Sequence, residues 1–404
     1  MLRQVLSRGL LRDRCVGVSR TGVNNGVRYG VNGVVGLHST VLHDYHVANE
    51  GKMVEFAGYS MPVQYGKVGI ATSHKQVRTA CGLFDVSHML QSKVHGKDRV
   101  KFMEGLIVGD VEGLQVNTGT LSLLTNEQGG IIDDLICSKL EDYLYVVSNA
   151  GCRDKDLDHL RSHLASFRAA GGDVELEIIE DHGLIAVQGP TAAKILEPLV
   201  LGGLGDLYFM NTRETQVAGV PCRVTRCGYT GEDGVEISVP NNKIVEVSET
   251  LVGAGVHLAG LGARDSLRLE AGLCLYGNDI DDTTTPIEAG LAWTIGKRRR
   301  QTADFLGAKI ILQQLKEKPK RRRVGLTSTG PPARSHCPVL DAAGNTVGQV
   351  TSGCPAPSLG INVAMAYVPA ALAKNGTELQ LEPANYDKPT KSNCQVLVEE
   401  DGLR

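Results

Sequence analysis

From about residue 42 onward, apolar and polar positions alternate in blocks that predict short strands and amphipathic helices. Residues 53–58 end in a turn signal at Gly58, and a second extended run follows over 60–65. Residues 73–78 look helical and lead into 81–89, where Leu83, Phe84, Val86 and Met89 predict one strand crossing the core. The stretch 119–125, the turn-rich 126–130 and the apolar 131–136 predict a hairpin, with 143–147 as a third strand rich in β-branched and aromatic residues. Leu157, Leu160, Leu164 and Phe167 form one stripe, which predicts a helix over 154–170 stopped by Gly171 and Gly172. Val174, Leu176 and Ile178 then alternate as a strand. A strand at 184–187, helices at 191–199 and 263–270, and a closing Gly272 complete this part.

Strands and helices recur here without a Gly-rich phosphate fingerprint, so the expected class is α+β, with mainly antiparallel sheets and helices on one face of each. Past a cationic stretch at 316–323 the chain turns β-rich. Strands expected at 323–326, 346–351, 361–367 and 378–381, separated by Gly, Asn and Pro, imply a small barrel or sandwich.

Composition changes the picture mainly at the N-terminus. Arg3, Arg8, Arg12, Arg14, Arg20 and Arg28 are accompanied there by a single acid, Asp13, and Leu2, Val5, Leu6, Leu10 and Leu11 lie near helical spacing. An Arg-rich, acid-poor amphipathic start is the pattern of an organellar transit peptide, expected over 1–38, and its destination is expected to be the mitochondrial matrix. The chain has 404 residues and a formal net charge of −3, which argues against a nucleic-acid binder. No apolar run approaches the roughly 20 residues needed to span a bilayer, so no membrane role is expected. Ten cysteines are scattered without a Cys-x-x-Cys pair, so buried free thiols and no metal site are expected.

Candidate chemistry concentrates in two places. In 226–237, Gly228, Gly231 and Gly234 bracket Tyr229, Glu232 and Asp233, and the alternating Val235, Ile237 and Val239 follow. This is either a polar hairpin loop or a binding loop at the mouth of a strand. A carboxylate here could accept two parallel hydrogen bonds from an Arg fork or from the amino-pyrimidinone edge of a pterin or guanine, with Tyr229 stacked on the ring. The second place is Asp133-Asp134. On an alternating strand only one of the two can face inward, where it would serve a ligand or a base pair; otherwise both are exposed at a strand start. Arg264 opens a helix and is suited to a ligand carboxylate or to a surface ion pair. The lone Trp293 is expected in the core. The runs Lys297, Arg298, Arg299, Arg300 and Lys316, Lys318, Lys320, Arg321, Arg322, Arg323 are either solvated linker or a docking face for an acidic partner.

Several of these blocks together resemble the aminomethyltransferase family, the T-proteins of the glycine cleavage system. They are Phe84-Asp85-Val86-Ser87-His88-Met89, Gly119 to Leu123, Gly129 to Leu135, Tyr145 to Ala150, Arg226 to Ile237, Ala263 to Gly272 and Thr351 to Pro355. The resemblance runs from about Leu42 to about Pro369. It implies a three-lobed cloverleaf, with two mixed α/β lobes over 39–312 and a C-terminal β-barrel over 318–404, and tetrahydrofolate in a central channel. It implies transfer of the one-carbon unit of an aminomethyl group, carried on the lipoyl arm of the H-protein, to tetrahydrofolate. Ammonia and 5,10-methylenetetrahydrofolate would be the products. Residue by residue, it implies that Asp134 faces the reactive folate nitrogens, that Met89, Tyr145 and Asn149 line that pocket, and that Glu232 meets the pterin edge. Arg264 would bind beside Glu232, with Tyr229 nearby, and the cationic runs would meet the carrier. The family usually ends in a Pro- and Tyr-containing tail that closes the folate site. Here residues 391–401 hold no tyrosine, and Tyr386 lies early for that role.

Three other classes compete. Folate-binding iron–sulfur assembly factors carry a Lys-Gly-Cys-Tyr motif that is absent here, and folate-coupled amine dehydrogenases need a flavin domain with a Gly-x-Gly-x-x-Gly turn that this chain lacks. A pure binding module is the third.

Overall fold

The computed structural model describes residues 36–381 and 394–399. The expected transit segment therefore lies almost wholly outside the described residues, as does Tyr386. Within them the fold is α+β, built on two large, mainly antiparallel sheets, a small three-stranded sheet and a closed barrel.

The six-stranded sheet runs Thr212–Val217, Val220–Thr225, Gly234–Pro240, His182–Gln188, Gly82–Asp85, His257–Leu258. The five-stranded sheet runs Thr118–Thr125, Ile131–Lys139, Leu144–Ser148, Leu90–His95, Glu175–Ile178. Alternation sorts each strand between two layers. In His182–Gln188, Ile185 and Val187 pack outward with Ile244, Val247 and Leu251 of helix Ile244–Gly253. Leu184 and Ala186 of the same strand pack inward, with Tyr145 and Val147 of the other sheet. Leu144 and Val146 face the opposite way and meet Leu160 and Leu164 of helix Arg153–Ala169. The two sheets thus meet across their inner faces, with helices on the outer ones. Helix Leu261–Glu270 joins that inner layer through Ala263 and Leu267.

The predicted strand over 81–89 is corrected: it is two strands, Gly82–Asp85 and Leu90–His95, in different sheets. The break is built by Asp85, whose Oδ1 accepts the Ser87 N–H at 2.8 Å while Oδ2 accepts Thr40 Oγ1 at 2.6 Å and contacts His46 Nε2 at 2.8 Å. The helix expected over 191–199 is only Ala192–Leu196, because Pro198 has no N–H with which to continue the ladder. The C-terminal part closes in the order Arg321–Ser328, Ile361–Pro369, Thr346–Ala356, Pro338–Leu340, Glu378–Leu381, Cys394–Glu399. This barrel includes two strands, the fourth and sixth, that the hydropathy pattern did not single out. Among the described residues no helix is long and apolar enough to cross a membrane.

Two expectations about surface residues are overturned. Trp293 is 63 % exposed, on a single 3₁₀ turn at Ala292–Thr294. The run at 297–300 is not a free cationic face. It forms helix Lys297–Thr302, whose Arg298 pairs with Glu104, Asp110 and Glu112. Arg299 is fully buried between Asp304 and the Glu104 and Ile107 carbonyls. Arg300 donates to the Ile295 and Ala292 carbonyls. A guanidinium brings five donors into a planar fork, so such a run can cross-link backbone as readily as it can meet solvent.

Arg299→Glu should cost about 3–5 kcal/mol, because it leaves buried acceptors facing a like charge. Denaturant unfolding checks this; a loss under about 1 kcal/mol would mean the residue is not structurally committed.

Candidate functional site

The inner layer between the sheets is apolar except where polar residues fall on inward-facing positions. On strand Gly234–Pro240, Val235, Ile237 and Val239 form the outward stripe, so Glu236 and Ser238 must face inward. On Ile131–Lys139, Leu135 and Cys137 pack outward, so Asp134, Ile136 and Ser138 share the inner face. A narrow cavity lies there, walled by Ile136, Ser138, Tyr145, Val147, Arg223, Glu236 and Ser238, among others.

Asp133 and Asp134 consequently part company. Asp133 is fully buried on the helix side, while Asp134 is half-buried on the inner face of the sheet, two residues along the strand from Ile136 of the cavity wall. Asn149, just past the end of strand Leu144–Ser148, bridges them. Its Nδ2 donates to Asp134 Oδ1 at 2.8 Å and to Asp133 Oδ1 at 2.9 Å, and its backbone N–H donates to Asp133 Oδ2 at 2.9 Å. Burial, and after it the adjacent Asp133, push the Asp134 carboxyl up to about 7, against the hydrogen bond from Asn149. A carboxyl group in that range can both hold and release a proton near neutrality.

Arg264, on helix Leu261–Glu270, sits over the Tyr229 ring with its guanidinium carbon 4.7 Å from the centroid. Its Nη1 is buried and has no hydrogen-bond partner. An unmet buried donor is costly, so this nitrogen is suited to an acceptor that a ligand brings. Burial lowers the Arg264 pKa, with Glu236 and Tyr229 opposing that shift. Burial also pushes the Glu236 carboxyl up, and Arg264 holds it back. Tyr229 donates through its hydroxyl to the Cys274 carbonyl, and its ionisation is opposed by burial and, further down, by the Asp134 charge. Asp134, Tyr229, Arg264 and Glu236 therefore form one electrostatic group. Tyr145 is buried in the cavity wall and donates to Gln91 Oε1 at 2.7 Å; Met89 packs at the edge of the same layer.

The structure places Glu232, expected at the pterin edge, away from the cavity wall. Gly231, at φ +76°, turns the loop so that Glu232 reaches helix Ile70–Thr79 and pairs with Arg78 at 3.0 Å. Glu232 is not in the cavity wall; Glu236 is. The signal that would have found Glu236 was present, since strand alternation sets it opposite the Val235, Ile237, Val239 stripe. His88 was also missed. It is buried, its Nδ1 lacks a partner, and burial lowers it to about 4, so it is neutral.

A family described as GCVT N-terminal domain matches residues 42–299, and one described as glycine cleavage T-protein C-terminal barrel domain matches 321–394. A Gallus gallus protein named aminomethyltransferase, mitochondrial, is 58% identical over 357 residues, covering 88% of this chain and 91% of the relative. Its Homo sapiens counterpart is 56% identical over 349 residues, covering 86% of each. The crystal structure of glycine cleavage system aminomethyltransferase T from Bartonella henselae superposes with a TM-score of 0.83 at 39% identity, covering 91% of this chain and 98% of that one.

The raised Asp134 group has a consequence for stability. The folded chain holds this proton more tightly than the unfolded one, so between about pH 4 and about pH 7 folding is progressively disfavoured as pH rises. Asp134→Asn removes that penalty. The variant should be more stable than the parent by at least about 1 kcal/mol at about pH 8, with the difference shrinking towards about pH 4. Denaturant unfolding at the two pH values measures it, and equal stability at both would contradict the raised pKa.

Proposed function

The chain belongs to the glycine cleavage T-protein family, the aminomethyltransferases, and from that premise we propose how its inter-sheet cavity transfers the one-carbon unit of an aminomethyl group to tetrahydrofolate. The observation that carries the proposal is Asp134: a half-buried carboxyl on the cavity face, oriented by Asn149 and poised near neutrality.

Loss of ammonia from the sulfur-bound methylene leaves an electron-poor carbon. One folate nitrogen bonds to it, attack by the second expels the lipoyl sulfur as a thiol, and the two N–H protons end on ammonia and on that sulfur. A fixed carboxylate beside that carbon stabilises the developing positive charge and can take the proton released by the attacking nitrogen. Asp134 occupies the place for both tasks, and Asn149 fixes the direction of its lone pairs. Glu236 is the acceptor for the donor edge of the pterin, and the unmet Arg264 Nη1 is the donor for the acceptors of the same ligand. Tyr229 supports Arg264 from beneath, and Tyr145 and Met89 form the apolar wall. Holding two large substrates together supplies much of the remaining acceleration.

The aminomethyl donor is proposed to be the lipoyl arm of the H-protein, and the working compartment the mitochondrial matrix. Since Arg298, Arg299 and Arg300 are engaged internally, the cations that remain exposed for an acidic carrier are Lys297, Lys316, Lys318, Lys320 and Arg322.

A coupled assay with tetrahydrofolate and aminomethyl-loaded H-protein, following ammonia and methylenetetrahydrofolate together, tests the whole scheme. Both products should form in equal amounts. Folate binding without turnover would reduce the chain to a binding protein. Asp134→Asn should lower kcat by about a hundredfold or more in a folded protein, and the parent's kcat should rise with pH through about 7 as the carboxylate forms. A flat profile would remove Asp134 from that role. Glu236→Gln should raise KM for tetrahydrofolate about tenfold or more, and Glu232→Gln should change it much less; the reverse order would return the pterin contact to Glu232.

A further inference from the structure

Behind the cavity, on the helix side of strand Ile131–Lys139, lies a second acidic group that the proposed chemistry does not use. Asp133 and Asp156 are both fully buried. An oxygen of each and the sulfur of Cys152 lie within 4.8 Å of one another. Asp133 is well supplied with donors, since both its oxygens accept from Asn149. Asp156 is not: neither of its oxygens makes a well-formed hydrogen bond, although the Ser148 hydroxyl lies close enough to favour its charge. Two ionised carboxylates in such contact and out of water would be prohibitively costly.

We propose that Asp133 and Asp156 share one proton across a carboxyl–carboxylate hydrogen bond, and that this pair is the positioning device that orients Asn149 and, through it, Asp134. The shared proton bridges the two carboxyls, so the pair carries one negative charge in all, which the Asn149 donors meet on the Asp133 side. Because the carboxylate accepts both the backbone N–H and Nδ2 of Asn149, the side-chain amide can present only its NH₂ end to Asp134. One charge behind Asp134, rather than two, also keeps its carboxyl within reach of neutral pH.

The groups facing the pair are few. Asp134 adds negative charge from the same strand, and the Ser148 hydroxyl and Lys155 ammonium favour ionised Asp156. The Cys152 thiol is pushed up by burial and by Asp133, so it stays neutral. Lys155 lies over the Tyr276 ring, and the Tyr276 hydroxyl donates to the Ile131 carbonyl at 3.0 Å. Burial pushes both carboxyls above the usual range, in keeping with a pair that titrates as a unit.

Carboxyl-¹³C aspartate spectra of the full chain test the pairing directly. At about pH 9, where Asp134 is ionised, one aspartate carboxyl signal should keep protonated character and disappear in Asp156→Asn. Spectra in which every aspartate carboxyl is ionised at that pH would overturn the proposal. So would a stoichiometric divalent metal in the purified protein that is lost in Asp156→Asn, since these residues would then be ligands. The kinetic arm rests on the role proposed for Asp134, whereas the spectra do not, so the two failures are distinguishable. Asp156→Ala should lower kcat by roughly tenfold or more through misplacement of Asn149, and Asp156→Asn, whose amide N–H replaces the shared proton, should restore most of that loss. In Asp156→Asn the acid limb of the kcat profile should stay in place, because the pair's charge is unchanged. A downward move of about one unit or more would mean that both carboxylates had been ionised.

Discussion

Helix Leu261–Glu270 is the joint on which the lobes depend, and its buried charges make it so. Arg268 reaches Asp279 at 2.6 Å and Ser352 of the barrel at 2.8 Å. Glu270 contacts His74 at 3.1 Å and pairs with Arg78 at 3.2 Å, and it accepts the Ser358 N–H at 3.0 Å. Burial works against the Glu270 charge, but its contact with His74 and the bonds that follow outweigh this and hold it at about 2. Taking such groups out of water is repaid only when every lone pair and proton is met in the right direction, so the network tolerates little sliding of one lobe over another. Leu269 adds an apolar contact with Cys354, Val363 and Met365 of the barrel.

That rigidity extends to Arg264. Arg264 lies one turn before Arg268, so the same anchoring that binds the barrel also fixes the guanidinium over Tyr229. The site contradicts the ordinary rule that buried polar groups are paired: Arg264 Nη1 and His88 Nδ1 have no partner, and Asp134 stays half-buried at a cost. Such departures cluster where a ligand is to complete the set. Around them the packing is conventional, with apolar side chains filling both faces of each sheet.

The division between the two faces also explains how one dipeptide serves two ends. Asp134 lies on the inner face of the sheet and Asp133 on the outer one, because successive residues of a strand must point to opposite sides. Asn149, arriving at the end of the neighbouring strand, is the one group that touches both. Orientation of Asp134 is thereby coupled to a polar cluster on the other face of the sheet.

The sequence by itself determined the elements whose pattern is local. The hairpin at 118–139, helix Arg153–Ala169 and the outward stripe of Val235, Ile237 and Val239 were legible because period-2 and period-3.6 spacing is a property of neighbouring residues. So was the family, since its motifs are contiguous. Only the tertiary structure decided where Glu232 points, because its direction depends on Arg78, about 150 residues away in sequence. Only it decided that the chain changes sheets after Asp85, that Arg299 is buried while Trp293 is exposed, and that Asp156 stands behind Asp133. Each of these outcomes is set by a partner brought close by folding, and the energy of a buried charge depends on that partner more than on the residue itself.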